Sequence, residues 1–167
     1  MYKRILLLFF VAAHAALASA ASDRELEEGL ANALRLKPGT TERTRDSGKA
    51  IQAYMREGVV DKRPNDRWDY TDYYQVKKPA SFMGHNLVVI EEEYMSKFIG
   101  CCVNPGAGVT VRLNGSPHNL EKFAEANMCS FDDNVSVKEG LRGVRSKTAL
   151  RKGRYATLSC RDNDTRR

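Results

Sequence analysis

The spacing of hydrophobic positions changes along the chain, and each change marks a different kind of element. In SDRELEEGLANALRL, Leu26, Leu30 and Leu34 recur every fourth residue behind a capping-box pair, Ser22 and Glu25. This predicts a helix from Asp23 to Arg35, stopped by Pro38-Gly39. Its apolar stripe is narrow and its other faces are charged, so it should lie on the outside of a domain. TTERTRDSG has no period and reads as a polar linker. Ser47 as a cap, followed by Ile51, Tyr54 and Met55, predicts a second short helix ending at Gly58.

The middle of the chain reads differently. Residues 70–76, 86–94, 97–103 and 108–113 are rich in Tyr, Val, Ile and Thr and are bounded by Pro and Gly, which predicts strands. Val109, Val111 and Leu113 alternate with Thr110 and Arg112, giving that strand one wet face. NPGAG supplies a turn between two strands. Ser116 as a cap and Pro117 at the first helical position open a third helix carrying Leu120, Phe123, Ala124 and Asn127. SFDDNVSV and RYATLSC predict two more strands, separated by a basic, Gly-containing stretch.

Two helices, several strands, one inserted helix and two further strands specify an α+β domain on an antiparallel sheet. A helix between strands is also the order of a small, partly open OB-like barrel, in which the break at Gly84 would bend the first strand. Residues 21–58 form an N-terminal helical segment and residues 59–167 the α+β domain.

The first twenty residues change where this domain is expected to reside. Lys3 and Arg4 precede an apolar run from Ile5 to about Ala13, and small residues follow to Ala18-Ser19-Ala20. This is the layout of a signal peptide over residues 1–20, and the run is short of the roughly 20 residues that span a bilayer. The expected location is periplasmic or secreted, with no transmembrane segment in the mature, soluble chain.

The formal net charge is +6, unevenly spread. Residues 138–167 hold ten Lys and Arg against three Asp and Glu, whereas residues 21–137 hold 15 against 18. A basic C-terminal segment on a near-neutral body points to an anionic partner.

Export also sets the reading of Cys101, Cys102, Cys129 and Cys160, an even number suited to disulfides. Of the three pairings, Cys101 with Cys102 closes a strained ring. Neighbours on a strand point to opposite faces, so the doublet is expected to staple its strand to two other elements. The pairing expected is Cys102 with Cys129 and Cys101 with Cys160. With no C-x-x-C pair, H-x-x-x-H or C-x-x-C-H sequence, no metal or haem cofactor is expected.

Candidate chemistry is sparse. His85 and His118 are an acid–base pair for phosphodiester cleavage only if they meet. Glu91 and Glu93 share one strand face and Glu92 takes the other, an arrangement open to Ca²⁺ binding or glycoside cleavage but more often a charged strand end that discourages edge pairing. RWDYTDYYQ gathers Trp68, Tyr70, Tyr73 and Tyr74, residues suited to recognition. No phosphate loop, nucleophile elbow or H-E-x-x-H helix is present in the sequence. The sequence therefore favours an exported, non-catalytic binding or accessory protein of the cell envelope. Trp68, Tyr73 and Tyr74, together with Arg151, Lys152 and Arg154, would contact another protein or an anionic envelope polymer, and nucleic acid less readily. The alternatives are a small secreted nuclease-like hydrolase and a periplasmic inhibitor or immunity-type protein.

Overall fold

Helix α1 (23–34) buries Leu26, Leu30 and Leu34 along the stripe that the sequence predicts. The computed structural model describes residues 23–44, 46–93, 103–135 and 151–162. The signal-peptide reading, Cys101, Cys102, most of the 97–103 strand and residues 138–150 of the basic segment 138–167 lie outside the described residues. Helix α2 (Ser47–Arg56) is capped one residue earlier than expected: the Asp46 side chain accepts from the Lys49 N–H, while Ser47 Oγ donates to Glu92 at 2.7 Å. Helix α3 (His118–Ala126) begins one residue later than expected, after Pro117, with Ser116 Oγ accepting from the His118 N–H at 3.4 Å.

Among the described residues, seven strands form one antiparallel sheet: β1 (Asp66–Trp68), β2 (Thr71–Gln75), β3 (Ser81–Phe82), β4 (His85–Glu93), β5 (Gly106–Arg112), β6 (Ser130–Asp132) and β7 (Tyr155–Arg161). Their spatial order is β1-β2-β4-β5-β7-β6, with β3 paired to the start of β4. The fold is α+β with a disulfide, and the sheet is open. Its ends, β1 and β6, do not pair, which sets aside the barrel. Gly84 is part of the tight β3–β4 turn rather than a bend within a strand. The irregularity within β4 is a register shift against β5 between Leu87 and Val89.

The sheet has two unlike faces. Ala107, Val109 and Val111 of β5, Ala156, Leu158 and Cys160 of β7, and Leu87 and Ile90 of β4 join Leu30, Leu34, Ile51, Tyr54, Leu120 and Phe123 of the helices in one core. Both N-terminal helices therefore belong to the same core as the sheet. Glu27 fastens α1 to the β3–β4 turn, accepting from Ser81 Oγ and, at 2.6 Å, from the Met83 N–H. Residues of the opposite register, such as Glu91, Glu93, Gly108, Thr110, Ser159 and Arg161, face away from this core.

The stretch read as a polar linker is anchored. Arg43 Nη1 donates to Leu34 O at 2.9 Å and to Asn127 O at 2.7 Å, and Nη2 donates to Arg161 O at 3.2 Å. One guanidinium thus answers carbonyls at the C-terminal ends of α1 and α3, where a cation is favoured, and ties both to β7. Arg43 also approaches Cys129 Sγ at 3.8 Å. Cys129 is bonded to Cys160, which corrects the expected double staple. Cys160 lies on the core face of β7, and the end of α3 delivers Cys129 to that face, so neither sulfur is left for Cys101 or Cys102.

Candidate functional site

The β1–β2 hairpin turns through Asp69 and Tyr70, with Trp68 paired to Thr71. Both central residues have positive φ, 48° and 67°. This is the pattern of the type I′ turn that matches strand twist, and it normally takes Asn-Gly because a Cβ is strained there. Asp tolerates the position; Tyr does so poorly. The tip exposes Trp68 to 63% and Tyr70 to 39%, two of the three large hydrophobic residues exposed among the described ones, the third being Met128.

Of the other aromatic residues expected at this surface, Tyr74 is 6% exposed and belongs to the core. Its hydroxyl lies 3.5 Å from Asp72, which Arg67 holds through two hydrogen bonds. Tyr73 is half-buried on the opposite face. Burial first, and then Glu91, push its hydroxyl pKa up, against a lowering by Arg161.

That opposite face carries a charge cluster. Arg161 donates to Glu93, to Glu91 at 3.2 Å, to Thr71 at 3.4 Å and to Ser159 at 3.1 Å. Glu93 also accepts from the Asn104 N–H at 2.8 Å. The edge-guarding role expected of Glu91 to Glu93 is corrected, because β4 is an interior strand between β2 and β5. A buried carboxylate is tolerable there only with a partner, and Arg161 supplies one. Glu92, on the core side, receives the Ser47 hydroxyl; burial raises its pKa, as do Asp46 and Asp72, against a lowering by that hydrogen bond.

Arg151, Lys152 and Arg154 are exposed at the start of β7, and Arg154 pairs with Asp133 at 3.0 Å. The hairpin tip lies at the other end of the sheet, because Thr71 meets Arg161 at the end of β7. Tyr155 and Arg161 are separated by roughly 20 Å of strand at about 3.3 Å per residue. The aromatic and basic residues therefore form two surfaces, not one. The histidines also stand apart in their bonding. His85 is 3% exposed and its Nδ1 accepts from the Asn114 N–H at 3.1 Å. His118 is exposed and lies 3.5 Å from Glu121, and no hydrogen bond joins it to His85.

The hairpin strain could not be read from the sequence, since Trp-Asp-Tyr-Thr lacks the Gly or Asn that signals such a turn. Among the described residues, no helix is long and apolar enough to cross a membrane. No family model, curated protein or solved structure matches the chain.

Proposed function

We propose that the protein is an exported, non-catalytic binding or accessory protein of the cell envelope, and that the β1–β2 hairpin tip is its contact with a protein partner. The observation that carries this reading is the strain at the tip. Positive φ at Asp69 and Tyr70 costs of order 1–3 kcal/mol per residue, and it holds Trp68 and Tyr70 out in solvent instead of burying them. Exposed Trp and Tyr on a rigid turn provide large contact area at little entropic cost, the composition of interface hot spots. Export is supported by the pattern of residues 1–20 and by the Cys129–Cys160 bridge, a feature of oxidising compartments.

The test is photo-crosslinking in intact producing cells, with a photoreactive phenylalanine at position 68 or, as control, at Lys122 on the exposed side of α3. One discrete adduct from position 68, absent from position 122, is the expected result. Equal adduct patterns from both positions, or none from position 68, would contradict the reading.

A further inference from the structure

A cleft of about 400 Å³ opens at the far end of the sheet, on the side where β7 begins. Lys77, Lys78, Arg112 and Arg151 line it, and among the described residues no carboxylate does. Two of these cations are already engaged: Lys77 pairs with Asp61, and Lys78 Nζ donates to Glu57 O at 2.6 Å. The Arg112 and Arg151 guanidinium groups have no hydrogen-bonded or ionic partner among the described residues.

Their placement is built into the fold. Asn86, Arg112 and Tyr155 form one row across β4, β5 and β7. The buried Tyr155 hydroxyl donates to Arg151 O, which fixes the backbone that carries the second guanidinium. Gly153 lies against the Arg112 stem: a Cβ there would stand 3.0 Å from Arg112 Cδ and 3.1 Å from Cγ. Two uncommitted guanidinium groups thus share one lining, and their donor forks match the oxygens of a carboxylate or sulfate.

We propose that this cleft binds an acidic polysaccharide, a chain bearing carboxylate or sulfate groups on sugar rings. Single-stranded nucleic acid is gripped through aromatic faces on which its bases stack. Among the described residues the cleft offers none, because Tyr155 is 3% exposed and Trp68 is at the opposite end of the sheet. The Asn86 amide nitrogen donates to Asn114 Oδ1 at 2.7 Å, which leaves its oxygen beside Arg112 to accept from a sugar hydroxyl, and the exposed Lys152 extends the positive surface beyond the cleft. The site is distinct from the hairpin tip and stands without it.

Titration of a fluorescein-labelled heparin dodecasaccharide with the purified protein, followed by anisotropy at several salt concentrations, tests this. R112Q/R151Q should weaken binding by about tenfold or more and lower the log–log salt slope by about 1–2, one for each lost ionic contact. K49Q/R56Q removes the same charge from exposed positions on α2 and should change affinity by no more than about threefold. R151Q alone alters only an exposed side chain, and it decides the matter if the double variant folds poorly. Equal losses in the two double variants, no binding by the unaltered protein at low salt, or equally tight binding of a dT oligonucleotide of the same charge would overturn the proposal.

Discussion

Arg161 on β7 reaches Glu93 on β4 across the full width of β5, because Gly106, which stands between them in the sheet, has no side chain. Gly108 does the same for Glu91: a Cβ at that position would lie 2.5 Å from Glu91 Oε1 and 2.8 Å from Leu158 O. The two glycines of GAG thus hold open a path over β5 for an ion cluster contributed by β4 and β7. Removing only the cation would strand two poorly solvated carboxylates. R161M should therefore lose about 2–3 kcal/mol in urea unfolding, toward the low end for buried pairs because the guanidinium keeps some solvent contact. Adding E93Q should recover part of that loss, and strict additivity of the two changes would show that they do not interact.

Glu92 gives stability a pH dependence opposite in sign to that of a salt-bridged carboxylate. Its pKa is raised above the ordinary 4.5, by burial before all else, so the folded state holds the proton more tightly than the unfolded chain. Between the ordinary value and the raised one, the folded state binds more protons, and stability falls as pH rises through that window. E92Q keeps an acceptor for Ser47 but carries no charge. It should be more stable than the parent at neutral pH, with the difference vanishing below the ordinary glutamate range. Denaturant curves at several pH values measure this, and a parent that is the more stable of the two at neutral pH would refute it.

The Cys129–Cys160 bridge closes a loop spanning 31 residues in sequence and sits beside the Arg43 hub. Replacing both cysteines by Ala should cost about 3–4 kcal/mol in the chain-entropy account. R43M should also destabilise markedly, since it withdraws donors from Leu34 O, Asn127 O and Arg161 O together. Non-reducing peptide mapping checks the pairing directly, and a peptide joining Cys129 to Cys101 or Cys102 would refute it.

His85 offers a spectroscopic check on the loop between β5 and α3, which supplies the Asn114 N–H to its Nδ1. Because Nδ1 accepts from the Asn114 N–H, the neutral ring carries its proton on Nε2. Long-range ¹H–¹⁵N correlation spectra should show that tautomer. A proton on Nδ1 would contradict the β5–α3 loop geometry.

Much of the scaffold was legible because burial repeats locally. Leu26, Leu30 and Leu34 announce α1, and Val109 and Val111 of β5 enter the core as their spacing predicts, but the wet face expected opposite them is corrected, because Thr110 is only 4% exposed. What the sequence concealed depends on partners distant along the chain. Glu93 reads as a charged strand end until Arg161, 68 residues away, is seen to meet it. Arg43 looks like part of a linker because its acceptors are backbone carbonyls from three elements. The disulfide pairing depends on which face of β7 carries Cys160. The separation of Trp68 from Arg151 depends on strand direction, and local spacing records neither.

The measurement that bears most directly on the proposed contact is a swap of the hairpin tip to Asn-Gly, D69N/Y70G, with Trp68 either retained or replaced by the photoreactive residue. If Asp69 and Tyr70 are strained to present the tip, the Trp68-containing swap should gain about 1 kcal/mol and melt several degrees higher, about 3–6 °C for a domain of this size. Relief of strain with loss of the Tyr70 side chain should also sharply lower the in-cell adduct yield from position 68. A swap that melts lower, or one that crosslinks with undiminished yield, would contradict the account.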